Sequence, residues 1–154
     1  MDARRIARAS IMALTVALLL TAASAQSGSA EEATLAGSWV VYVTPVPESG
    51  IPPFVNLTAF TKDGRMINSS PTDGAAVGEW IKTGSSQFAS TFMGFTKVGQ
   101  DFLLLKVRAT AEVNKSGDTF AGPYQVDIFD GEGDVVISVN GTVWGTRFGV
   151  EPLE

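Results

Sequence analysis

Beyond its first 25 or so residues the chain shows no helical period. It shows instead eight short β-rich runs separated by clusters of Gly, Pro, Asp and Ser. The runs are Ser38–Thr44, Phe54–Phe60, Arg65–Ser69, Val77–Lys82, Gln87–Phe95, Phe102–Val113, Thr119–Phe129 and Val135–Phe148. Most of the separators are short enough for hairpins: Asp63-Gly64 is a strong two-residue turn signal, and Asn114–Asp118 and Asp130–Asp134 have turn chemistry. Eight strands joined in sequence close naturally into an up-and-down antiparallel barrel, which removes the exposed edges of an open sheet. A barrel of that size is filled by side chains or holds one small ligand. The expected fold class is therefore all-β, an eight-stranded antiparallel barrel, with a two-sheet sandwich as the alternative.

The longest clear alternation is in Phe102–Val113. Leu103, Leu105, Val107, Ala109, Ala111 and Val113 share one face, while Lys106, Arg108, Thr110 and Glu112 lie on the other. The first set belongs to the core and the charged set to water. Two separators are longer than a hairpin needs. The loop from Pro45 to Pro53 is proline-rich and suits a cover over one barrel mouth or a plain surface loop, and Ser70–Ala75 is expected to be a polar loop.

The N-terminus has a different character. Arg4, Arg5 and Arg8 precede an apolar stretch from Ile11 to Ala23, and Ala23-Ser24-Ala25 makes a small-x-small cleavage site. This is the pattern of a secretory signal peptide, residues 1–25, cut near Ala25. The apolar run is shorter than the roughly 20 residues that span a bilayer. Residues 26–34 then read as a disordered lead-in rich in Ser, Gly, Ala and Glu, and 35–154 as one β-barrel domain. A secreted or periplasmic location follows, with no membrane association after cleavage. The chain has no cysteine, so its core alone must hold it, which favours a bacterial source. Its formal net charge is −5, and loss of the basic N-terminus makes it more acidic, so no nucleic-acid surface is expected. All four asparagines, Asn56, Asn68, Asn114 and Asn140, stand in N-x-[ST] contexts, a coincidence easily produced by abundant Ser and Thr.

The chain contains no histidine, which with the absent cysteine removes the commonest general base, the thiol nucleophile and most transition-metal sites. No metal and no cofactor are expected. Carboxylate chemistry remains: Glu79 and Asp127 each stand inside a strand-like run. Facing a cavity, either would serve a barrel isomerase or cyclase as its acid or base; facing outward, both are solvated strand residues. The acids of Asp130–Asp134 lack the later bidentate glutamate of a calcium loop and read as a hairpin turn. Trp80, Trp144, Phe88 and Phe92 are candidates for an apolar cavity wall, with core filling as the plainer reading.

At Gly37-Ser38-Trp39 the chain resembles the calycin superfamily, which includes lipocalins, fatty-acid-binding proteins and avidins. The resemblance implies a first strand that opens on Gly-x-Trp and a last-strand arginine packed across the tryptophan at the closed end, here Gly37, Trp39 and Arg147. The chain also resembles small secreted bacterial β-barrel proteins of unassigned function, through Phe60–Gly64, Gly78-Glu79-Trp80, Phe88–Phe92 and Gly141–Arg147. Val77 stands where that group carries a histidine.

These readings converge on a non-catalytic secreted barrel that takes a small, mostly apolar molecule inside it, with binding expected near Trp80 and the proline-rich loop. A barrel isomerase or cyclase and a structural or interaction module are the alternatives. With Trp39 inward, Val40 and Tyr42 form an apolar outer stripe suited to a homodimer contact.

Overall fold

The structure, a computed structural model, describes residues 32–153. The expected signal peptide and residues 26–31 of the expected lead-in lie outside the described residues. From Ala33 onward the chain forms one compact unit. Its strands are β1 (Gly37–Pro45), β2 (Phe54–Phe60), β3 (Arg65–Ser70), β4 (Gly74–Lys82), β5 (Gln87–Val98), β6 (Asp101–Val113), β7 (Thr119–Phe129) and β8 (Val135–Phe148), with one 3-10 turn at Pro47–Ser49.

Each strand pairs antiparallel with the next, and β8 pairs back to β1, closing the barrel in the order β1 to β8. The all-β, up-and-down architecture read from the turn spacing is the one observed. The differences are at strand ends. β4 starts at Gly74, three residues before the expected run, because the Ser70–Ala75 loop tightens into a short turn that Gly74 leaves at φ +76°. β5 and β6 run on to Val98 and Asp101, so only Gly99 and Gln100 connect them.

Up-and-down connectivity puts the β2–β3, β4–β5 and β6–β7 turns at one end, together with both ends of the barrel chain. The long β1–β2 loop and the β3–β4, β5–β6 and β7–β8 turns sit at the other. The first end is closed. Leu35, Trp39, Phe60, Phe88, Val113 and Phe120 are buried there as one cluster, with Trp80 packed against it. The rings meet edge-on, Trp39 to Phe120 at 4.9 Å and Phe60 to Phe120 at 6.5 Å between centroids, an arrangement that suits the ring quadrupoles. Gly145 makes room for this: a Cβ there would stand 2.3 Å from the Phe120 ring.

Arg147 covers the floor. Its guanidinium lies over the Trp39 ring, 4.3 Å from the centroid, and donates to the carbonyls of Gly117 (Nε, 2.9 Å), Thr34 (Nη2, 2.9 Å) and Ala36 (Nη1). Trp39 Nε1 donates to Leu35 O at 2.8 Å. Gly37, at φ +137°, passes so close that a Cβ would lie 2.2 Å from Arg147 Nη1. Two residues before Leu35 join the same network: the Thr34 carbonyl accepts from Arg147, and Ala33 O accepts from Lys82 Nζ at 3.3 Å.

Candidate functional site

Above the floor the barrel holds a cavity of about 460 Å³. Strand pleating aims alternate residues into it. β6 contributes Leu105, Val107, Ala109 and Ala111, the face assigned to the core by its alternation. Val41, Val43, Tyr124, Val126, Val139 and Val143 continue this apolar wall around β1, β7 and β8. Small residues at Ala109 and Ala111 leave the space open there. The cavity runs from Phe88 and Phe120 near the floor to Ile51, Pro52, Asp73 and Val98 at the other end. The proline-rich loop therefore borders the mouth.

β2 and β3 are different. Their inward positions are Asn56 and Thr58 on β2 and Asn68 and Ser70 on β3, all buried. Their outward positions carry the aliphatics Val55, Leu57 and Ile67, all exposed. The usual pattern is inverted on these two strands. Register explains how it persists: Phe60 and Met66 face each other across the β2–β3 ladder and both point into the floor cluster. A one-residue flip of both strands would expel Phe60 and Met66 from the floor cluster to bring in Val55, Leu57 and Ile67.

The polar wall is only partly self-satisfied. Thr58 and Asn68 face each other in the ladder, and Thr58 Oγ1 donates to Asn68 Oδ1 at 2.8 Å. Ser70 Oγ is engaged with Thr72 (2.9 Å) and Asp73 (3.2 Å), and Thr96 Oγ1 donates to Asp73, making a polar cluster at the mouth. Asn56 is 8% exposed. Among the described residues its Oδ1 is the one buried side-chain polar atom with no hydrogen-bond partner. Such an orphan costs on the order of 1–3 kcal/mol. Tyr124 also lines the cavity, and burial pushes its phenol pKa up, so it stays protonated.

The residues singled out from sequence are distributed as follows. Phe88 and Phe92 line the cavity. Trp80 does not: it stands at the closed end, its Nε1 donating to Thr61 O at 3.0 Å and its ring 6.1 Å from Phe60 and 5.7 Å from Phe88. Trp80 and the proline-rich loop lie at opposite ends of the barrel. Trp144 does not line the cavity either. It points outward, 47% exposed, against Tyr42 at 5.0 Å between centroids, because β8 turns Val143 and Gly145 inward.

Neither candidate carboxylate lines the cavity. Glu79 is exposed on the outer face of β4, opposite Arg65 in the ladder. Asp127 faces outward from β7 and is covered by its neighbours' side chains: Ser138, Gln125 (3.0 Å) and Arg108 all donate to it. The Ser138 hydrogen bond, with those from Gln125 and Arg108 and the Arg108 charge, holds its carboxyl below the ordinary 3.8 against the opposing effect of burial. A barrel acid or base at either position has no access to the interior.

Sequence reasoning passed over Asn56, Thr58, Asn68 and Ser70. Their signal was present in the asparagines themselves, two of which fall at the same strand parity as Phe60 and Met66. Comparison of the chain with family models, with curated proteins and with solved structures found no match.

Proposed function

We propose that this protein is a secreted, non-catalytic barrel of calycin type that binds a small, mostly apolar molecule in its interior. One observation carries the reading: a cavity of about 460 Å³ with apolar walls on most sides, shut at one end by the Trp39–Arg147 floor and bordered at the other by loops. That volume lies within the roughly 300–1,000 Å³ range of small-molecule sites. Export is supported by the signal-peptide pattern of residues 1–25.

The test is a thermal-shift and calorimetric screen of the chain from Gln26 onward against neutral apolar compounds. A ligand present at 100 times its Kd adds about 2.7 kcal/mol of stability, a shift easily seen in a domain this size. Ala109→Phe, which fills the middle of the cavity, is expected to abolish binding while leaving the barrel folded. Binding that survives this substitution unchanged would place the ligand elsewhere and overturn the proposal.

A second reading concerns the outside. Trp144, Tyr42, Val55, Leu57, Ile67 and Val77 form an exposed, uncharged row across β8, β1, β2, β3 and β4. We infer that this row meets a second copy of the chain. On an acidic protein it is the face where two copies approach without bringing carboxylates together or desolvating charge.

A further inference from the structure

Resting on the reading of the interior as a binding site, we infer that the ligand is a neutral amphiphile, and that its hydroxyl or amide group hydrogen-bonds the side-chain amide of Asn56.

The cavity is chemically two-sided. From β6 round to β1 its wall is mainly aliphatic, with the Tyr124 ring among it, whereas the β2–β3 wall carries Asn56, Thr58, Asn68 and Ser70. Thr58 donates to Asn68 Oδ1, and Ser70 is tied to the mouth through Thr72 and Asp73. That leaves the Asn56 side-chain amide at the lining of the cavity, with no hydrogen bond from the protein to its Oδ1. A strand whose outer positions carry Val55 and Leu57 has apolar residues at hand, yet the buried position holds an amide. A side-chain amide on the wall of an otherwise apolar cavity is the complement of a ligand's hydroxyl or amide group.

The charge of the ligand follows from what the lining lacks. No Lys or Arg is found among the described residues around the cavity, and Asp73 is its one carboxylate, at the mouth. A carboxylate or phosphate taken inside would lose its hydration with no counter-charge to replace it. Free fatty-acid anions and phosphorylated lipids are therefore disfavoured. Long-chain or alicyclic alcohols and primary or secondary amides fit both walls.

The probes are 1-dodecanol, dodecanamide, dodecanoate and dodecane, titrated at pH 7 against the chain from Gln26 onward by calorimetry and by displacement of an environment-sensitive naphthalene dye. Wild type is expected to bind dodecanol and dodecanamide at least about tenfold more tightly than dodecanoate or dodecane, the ratio that one retained hydrogen bond to a buried amide provides. Asn56→Leu is expected to erase that preference, leave dodecane binding unchanged or stronger, and melt no lower than wild type. Asn56→Thr, which keeps a β-forming residue with a shorter polar arm, is expected to lower the preference for the donors and serves as the folded control should the leucine variant misfold. Equal binding of alcohol and alkane to wild type, an unaltered preference in both variants as when water alone meets the amide, or tight binding of dodecanoate would each overturn the assignment of Asn56 while leaving the binding cavity intact. Failure of every probe and of the dye to bind would instead overturn both readings.

Discussion

At the scale of single residues, the closed end depends on side chains drawn from both ends of the strand series. Trp39 is fully buried, and Trp39→Ala is expected to cost about 3–5 kcal/mol. Trp80 is only half-buried at the cluster's margin, so Trp80→Ala should cost clearly less, and chemical denaturation of the two variants side by side checks the order. Arg147→Met would keep an apolar stem over the indole but leave three carbonyls without their donor, a loss on the order of 2–4 kcal/mol. Gly37→Ala should destabilise by about 1–3 kcal/mol, because φ +137° is strained for any L side chain and the new Cβ meets Arg147. The positions of Gly37, Trp39 and Arg147 at the two ends of the strand series are legible in the sequence. Their contact is not, because it is made by backbone carbonyls of residues 34, 36 and 117 that no side-chain pattern announces.

At the scale of the strand, legibility depended on charge. β6 alternates aliphatic residues with Lys106, Arg108 and Glu112, and charges do not go inside, so its sidedness follows from parity alone. β2 has no charge on either face. Its two parities are Phe54/Asn56/Thr58/Phe60, half-apolar, and Val55/Leu57/Ala59, wholly apolar, and the choice against the second is made by Phe60 reaching the floor. Residues whose face is chosen by tertiary packing, the polar wall of β2 and β3 and the outward Trp144 among them, are those that a linear pattern does not mark.

Strand-scale electrostatics give a pH prediction. Asp127, bridging β6, β7 and β8, and Asp118, cradled in the β6–β7 turn by Ser116 and then Asn114, both have carboxyl pKa values below the ordinary 3.8, as does Asp63 through Thr61. In the unfolded chain these groups titrate near about 3.9. Below that value the unfolded state binds more protons than the folded one, so their stabilising contribution is complete above about pH 5 and is lost as pH falls through the folded values. The melting temperature should hold level from pH 7 to about 5 and then fall. Asp127→Asn and Asp118→Asn should each flatten the acid limb, and a limb identical to wild type in the double variant would show that other groups drive it.

At the scale of the whole molecule, the barrel was legible because its connections are short. Seven of the eight ladders join sequence neighbours, and turn residues mark nearly all of them. The cavity was not legible, since its volume depends on how far Ala109 and Ala111 stand from the β2–β3 wall, a property of closure rather than of any strand. The outer apolar row predicts concentration-dependent self-association. Analytical ultracentrifugation should show a monomer–dimer equilibrium for wild type and monomer alone for Leu57→Lys or Val77→Glu, with no loss of ligand binding. Wild type that sediments as a monomer at millimolar concentration would remove the second copy as the partner of that face.

The eighth ladder, β1 to β8, joins the two extremes of the domain. While the chain is being synthesised, β1 emerges with one side unpaired and Trp39 without its Arg147 cover, and it stays so until residues 135–148 follow. Completion of the chain and closure of its floor are the same event.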